Sequence, residues 1–328
     1  MKPETKVTRM MDRAIEFIRG HASFALAAHL NPEGDAIGAT LGLALILRGL
    51  GKSAVAYNGD PLPSSLRFLP GARDMAHDPA ALVEMEAVIV LDCGDIDRPG
   101  QAFRKFIGAR PLLNIDHHRT NTGFGMVNWV EPEASSTGEM IAVMARAMGA
   151  QVTPQAASCL YTAILTDTGS FQFSNTTSRA LRAAADMVEA GARPEEASEN
   201  YYHCKPASHL KLLALVMPTL EFNRDLTRGD VSITAAMFEQ TGTGPEAAEG
   251  LINMIMDVDS VKAAVLFRET GPGKWKASLR SKGQLDVAAL ANRHGGGGHK
   301  NAAGCSLDGS LDQVQMAIRA EVEELIRK

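Results

Sequence analysis

An aspartate and two histidines stand side by side at the end of an apolar run, LNIDHHRTN, Leu113 to Asn121. A solvated turn has no need of Asp116, His117 and His118 in a row, whereas a metal site does. The same residue types follow other apolar runs. SFALAAHL leads into HLNPEGD, which carries His29, Glu33 and Asp35. AVIVLDCGD brings Asp92 and Asp95, and a helix-like segment over 155–166 ends in TDTGS with Asp167. Packed acids repel and raise one another's pKa, and a divalent cation removes that conflict. Oxygen and imidazole donors without a thiolate suit Mn²⁺ or a close relative better than a structural zinc. The number of acids points to two ions about 3.5–4 Å apart with a shared carboxylate. Such a pair activates water and stabilises an in-line displacement at phosphorus.

Those residues need a frame that brings them to one place. Runs of strand length, SFALAAHL, SAVAYN, AVIVLDC and PLLNIDHH, are separated by helical stretches such as GDAIGATLGLALILRGLG. Continuous apolar strands alternating with helices predict an α/β domain with a parallel sheet, and ligands of such sheets gather at the carboxyl ends of the strands. Ser136-x-x-Glu139 before IAVMARAMG has the capping-box pattern of a helix start. ASCLYTAILTDTG and residues 178–190 predict two more helices. The pattern changes near Gly191, where prolines 194 and 206 interrupt helical stretches. We expect a first domain over 1–190, a helical connector over 191–228 and a smaller α+β domain over 229–328. The last reads as strand DVSITAAMF, helix EAAEGLINMIM, strand VKAAVLFRE, a GPGK turn, strand WKASLRS, helix DVAALANRH, a glycine run and a final helix to Lys328.

Bulk properties bound the function. The chain has 328 residues, 45% of them apolar and 22% charged, an ordinary globular composition with length for two domains. A net charge of −5 argues against gripping long duplex DNA by charge. Four cysteines, at 93, 159, 204 and 305, form no C-x-x-C pair and read as free thiols in a reducing compartment. The N-terminal stretch lacks an apolar signal core, and no run approaches the about 20 apolar residues of a membrane span. These features predict a cytoplasmic protein that does not bind membranes. Apolar helix faces in the first domain are compatible with a homodimer.

The motifs HLNPEGDAIGA, VIVLDCGD, NIDHHRTN, TAILTDTGSF and RSKGQLDVAALANRHGGGGHKNAAG run in order from position 29 to 304. With them the chain resembles the DHH phosphoesterases, and more closely their nanoRNase and 3′-phosphoadenosine-5′-phosphate (pAp) phosphatase branch. The resemblance implies that His29, Glu33, Asp35, Asp92, His117 and Asp167 ligate the metals, with Asp92 bridging. It implies that His118 contacts the scissile phosphate and that Asp116 orients a histidine. It further implies that Arg280, Gly296, Gly297, Gly298 and His299, in a DHH-associated second domain, hold the substrate's terminal phosphate or nucleotide. The scissile phosphate would then lie in a cleft between the domains. Two positions depart from the family pattern: Glu33 stands where Asp is usual, and Gln172 where Arg is frequent.

What the resemblance implies is a manganese-dependent phosphohydrolase that degrades oligoribonucleotides a few residues long to mononucleotides and dephosphorylates pAp. A phosphodiesterase for linear or cyclic dinucleotides would use the same site. A catalytically silent nucleotide-binding regulator is the alternative outside the enzymes. The remaining polar residues have simpler readings. Asp95 and Asp97 read as loop acids, Ser136 as a helix cap, and His21, His77, His203, His209 and His294 as structural or surface histidines.

Overall fold

A computed structural model describes residues 6–248 and 250–327, and the side chain of His299 also lies outside the described residues. Contacts divide the chain into two units, Met1–Cys204 and Lys205–Lys328, so the division falls within the segment expected to be a connector.

The first unit begins with α1 (Lys6–Gly20), β1 (Ser23–Ala27), α2 (Gly34–Gly49) and β2 (Ser53–Tyr57). It continues with β3 (Ala87–Leu91), α3 (Gln101–Ile107), β4 (Leu112–Asp116) and β5 (Val127–Val130). It closes with α4 (Thr137–Met148), α5 (Pro154–Asp167), α6 (Ser178–Glu189) and α7 (Pro194–Tyr202). The five strands form one sheet in the order β2-β1-β3-β4-β5, and every pair is parallel. Its strands carry the expected apolar runs, and β3 and β4 are buried along their whole length. The order turns back at β1, β2 lying on one side and β3 on the other, so the carboxyl ends of β1 and β3 meet at the switch point. β5 is an addition to the expected strands; VNWV is only four residues long and carries a polar Asn128.

Helix α2 is buried over most of its length. Three glycines at four-residue intervals, Gly34, Gly38 and Gly42, set its approach to α5. A Cβ on Gly34 would overlap Thr166, one on Gly38 would lie 2.5 Å from the Cys159 carbonyl, and one on Gly42 2.6 Å from Leu160. Leaving out that side-chain layer brings Asp35, on the first turn of α2, close to Asp167, the last residue of α5. Ser136 caps α4 as expected, its hydroxyl accepting the Glu139 N–H at 3.0 Å.

The second unit begins with α8 (Ala207–Val216), β6 (Glu221–Phe222), β7 (Arg228–Ile233), α9 (Ala235–Thr241), α10 (Leu251–Met256) and β8 (Ala263–Gly271). β9 (Lys274–Ser281), α11 (Val287–Arg293), β10 (Gly297–His299), β11 (Ala302–Asp308) and α12 (Leu311–Arg327) complete it. Its six-stranded sheet runs β10-β11-β9-β8-β7-β6 and is antiparallel except at β7–β8. The expected β8–β9 hairpin is present. One expectation is corrected. The apolar run DVSITAAMF stops being a strand at Ile233, and Ala235 starts a helix, because an unbroken apolar run fits either state. The end of the glycine run adds a strand that was not expected, Gly297–His299 pairing with β11. The helix expected over 246–256 includes Glu249, which lies outside the described residues; its described C-terminal part starts after Gly250, whose φ is +83°. No helix among the described residues is long and apolar enough to cross a membrane.

Candidate metal centre

The carboxyl ends of β1, β3 and β4, the start of α2 and the end of α5 deliver the six expected ligands to one place. Their donor atoms form overlapping groups within 4.8 Å of one another: His29, Glu33 and Asp92; Asp35, His117 and Asp167; and Asp92, His117 and His118. Asp92 belongs to two of these groups, and its two oxygens face different ways. Oδ2 lies 3.5 Å from His29 Nε2 and Oδ1 lies 3.4 Å from His117 Nε2. His117 Nε2 is also 3.8 Å from Asp35 and 3.6 Å from Asp167, and Glu33 sits 2.9 Å from His29.

Each imidazole is fixed through its other nitrogen. His29 Nδ1 donates to the Leu30 carbonyl at 2.8 Å and His117 Nδ1 to the Ala134 carbonyl at 3.3 Å. A carbonyl only accepts, so in both rings Nδ1 carries a proton and Nε2 faces the acids, the arrangement that metal-bound histidines adopt. His118 is turned the other way: Nδ1 bonds Asp116 Oδ1 at 2.7 Å. Asn121, which the sequence reading left without a role, donates to the second oxygen of Asp116 at 2.6 Å. Asp35 is fully buried, and its oxygens accept the N–H groups of Thr137 and Gly138 at 2.7 and 2.8 Å, at the amino end of α4. These partners carried no sequence signal, since two backbone amides about a hundred positions away supply the bonds.

Burial pulls His29 and His117 down, yet hydrogen bonds to Asp92 and the nearby carboxylates outweigh it and raise both to about 10. Asp116 raises His118 as well. Burial also pushes Asp92 up, but His117 and His29 hold it well below the usual carboxylate range. Asp35 is raised, first by burial and then by Asp92 and Asp167. Burial takes Asp167 to about 6. The cluster thus carries more negative charge than its surroundings tolerate, and protons on the imidazoles offset it. Divalent cations would offset it equally well and leave neutral imidazoles as ligands. The neighbouring Cys93 thiol is pushed up by burial and then by Asp92, so it stays protonated and outside a thiolate donor set. The residues therefore fit oxygen- and nitrogen-bound metal.

Backbone strain marks the same place. Among the described non-glycine residues, positive φ occurs at Asn31, Asp92, Ser170, Phe171 and Leu226. The first four flank His29, form the shared ligand or follow Asp167, and such strain collects where geometry is imposed for function.

In the second unit, Arg280 lies on β9 opposite Ala302. Its guanidinium donates to the adjacent Leu279 carbonyl at 3.1 Å, and burial lowers its pKa. No carboxylate pairs with it among the described residues. The glycines are shaped by packing: a Cβ on Gly296 would overlap the Gly304 carbonyl, and one on Gly298, whose φ is +144°, would lie 2.5 Å from the Ala302 carbonyl. The Gly296 N–H is spent on Ala291. A Cβ on Gly297 would meet only Asn292 Oδ1, 3.5 Å away. His294 is tied to Glu321 at 2.7 Å, a structural contact. The Asp95 side chain accepts the Asp97 N–H, as a loop acid does.

Two family descriptions match the chain: the DHH family N-terminal domain over residues 23–164 and the DHHA1 domain over residues 230–328. A Thermus thermophilus protein named bifunctional oligoribonuclease and PAP phosphatase NrnA is 33% identical over 99% of this chain and 97% of its own. A Bacillus subtilis protein of the same name is 27% identical over 97% and 99%. A crystal structure of an exopolyphosphatase-related protein from Bacteroides fragilis shares the fold, with a TM-score of 0.91 at 24% identity over 98% of both chains.

Proposed function

The chain belongs to the DHH family, and on that footing we propose that it hydrolyses short oligoribonucleotides to mononucleotides and dephosphorylates pAp. In this reading two divalent ions, Mn²⁺ by preference, are held by His29, Glu33, Asp35, Asp92, His117 and Asp167. The observation that carries it is the split carboxylate of Asp92, which offers one oxygen to each of two donor groups. The names of the similar Thermus and Bacillus proteins support the substrate class. A cytoplasmic location belongs to the same reading, since short RNA fragments arise there.

Metal bound at such a site polarises the phosphoryl group and lowers the pKa of water. The protein's own part is positioning. Asp92 would hold the two donor groups in register. His118, anchored on Asp116, keeps Nε2 for a non-bridging phosphoryl oxygen, so that charge building there meets a donor already oriented. Arg280 and the backbone of Gly297 and Gly298, with His299, would take the terminal phosphate and so limit the substrate to a chain end; Gly296, its N–H held by Ala291, would serve by shaping the turn.

The test is hydrolysis of labelled RNAs from the dinucleotide upward, with pAp and a cyclic dinucleotide alongside. Each is run with Mn²⁺ and with chelator, in wild type and His117→Ala. We expect mononucleotides from the shortest RNAs, lost with chelator and in the variant. Cleavage of dinucleotides alone would redirect the reading to a dinucleotide phosphodiesterase. Nucleotide binding without release from any substrate would point to the silent regulator.

A further inference from the structure

We propose that Arg179 is a positioning residue for the metal centre, acting through the segment Glu131–Thr137. That segment touches the cluster at three points. The Ala134 carbonyl holds His117 Nδ1, the Thr137 N–H together with that of Gly138 holds Asp35, and the Thr137 hydroxyl donates to Asp92 Oδ1 at 3.3 Å. Up to Ser136 the segment belongs to neither helix nor strand. Its shape must therefore be imposed from outside.

Arg179, on the first turn of α6, imposes it. The guanidinium bonds Glu131 at the start of the segment and Glu139 just beyond its end. The other oxygen of Glu139 accepts the Ser135 N–H and hydroxyl at 2.8 and 2.6 Å. A capping box would send Glu139 back to Ser136; here it holds the residue before, because Arg179 draws the carboxylate inward. Glu139 is fully buried and Glu131 is 5% exposed, so both acids depend on this one cation. Asn175 adds a second tie, its Nδ2 donating to the carbonyls of Ser135 and Asp167, each at 3.0 Å. The chain that leaves Asp167 thus turns back and clamps the loop that holds Asp35 and His117.

Arg179 could stabilise the fold without mattering to the metal, and the reach of the clamp separates the two roles. It ends on Asp35, His117 and Asp167, which form one donor group, and on the Asp92 oxygen that faces His117 rather than His29. No bond joins it to His29 or Glu33 among the described residues. A general loss of stability would weaken every group alike. A positioning role would weaken this one.

The experiment rests on the metal reading above and measures binding of Mn²⁺ alone to the full chain by calorimetry, with Tm recorded in chelator. Arg179→Met should lower Mn²⁺ affinity about 10–100-fold, the range for losing an orienting partner. That loss should be largely absent on a His117→Ala background and add in full to Glu33→Gln. Arg179→Lys, which keeps the charge but not the fork that spans two carboxylates, should recover Tm more than affinity. If Arg179→Met does not fold, Asn175→Ala, which strands no buried charge, must show the same selectivity. Unchanged Mn²⁺ affinity, or equal additivity with both partner variants, overturns the proposal while leaving the metal reading intact. Wild type that takes up no Mn²⁺ overturns both.

Discussion

The candidate metal centre of the first unit and the Arg280 region of the second are built on opposite terms. In the first, His29 and His117 are anchored through the nitrogen that does not face the acids, His118 is anchored on Asp116, and Asp35 is held by two amides. In the second, a half-buried guanidinium makes one bond, to its neighbour's carbonyl, and meets no carboxylate among the described residues. One region is organised around charge that stays. On the proposed function, the other would leave a cation for charge that arrives and departs. Damage to the first should therefore appear in metal binding and kcat, and damage to the second in KM.

The largest effect is expected from His117→Ala. His117 serves two donor groups, so its loss should reduce kcat/KM well beyond the about 10–100-fold typical of an orienting partner. A variant that keeps near-normal turnover at saturating Mn²⁺ would remove His117 from the centre.

Asp116→Asn comes next. Asp116 lies behind His118 and faces Asn121, and it belongs to none of the donor groups. The variant should bind Mn²⁺ as wild type does while kcat drops by about 10–100-fold. A parallel drop in Mn²⁺ affinity would make Asp116 part of the metal site and blur the contrast between ligand and orienting residue.

Arg280→Ala should act on the other side of the comparison. A charge-assisted hydrogen bond to a phosphate contributes about 1.5–3 kcal/mol, so KM for a 5′-phosphorylated dinucleotide should rise about tenfold or more with kcat nearly unchanged. Removal of that phosphate from the substrate should abolish the difference between wild type and variant. A fall in kcat with constant KM would assign Arg280 to the chemical step.

What could be read from the chain follows the same division. Residues that the fold gathers by their own side chains were legible: His29, Asp35, Asp92, His117 and Asp167 stand out because acids and imidazoles interrupt apolar segments. The parallel sheet was legible for a related reason, since its buried strands are continuous apolar runs. Groups that act through backbone or through another side chain were not. The amides of Thr137 and Gly138 have no residue signature, and the glycine spacing of α2 acquires meaning only against α5. Arg179 looks like an ordinary helix-surface charge and Glu139 like the acid of a capping box, until folding buries Glu139. The strand β10 carried no signal because glycine is a poor strand former, yet close approach to β11 requires it.

Glu33 gives the smallest expected effect and the finest test of how fixed the first region is. Its side chain is 55% exposed and bonds His29 at 2.9 Å, and it stands at the N-cap of α2 without making a capping bond. Aspartate there would lose a methylene of reach toward His29 but gain the preferred N-cap chemistry, for about 0.5–2 kcal/mol. Glu33→Asp should thus raise Tm in chelator slightly and shift Mn²⁺ affinity by less than about tenfold, whereas Glu33→Ala should weaken Mn²⁺ binding more than Glu33→Asp does. An exposed carboxylate can follow its ion, unlike the buried Asp35 and Asp92, and that freedom is what the aspartate variant measures. If Glu33→Asp is as damaging as Glu33→Ala, the reach of Glu33 is as strictly set as the buried ligands. If neither changes Mn²⁺ binding, the donor group of His29 and Asp92 is complete without it.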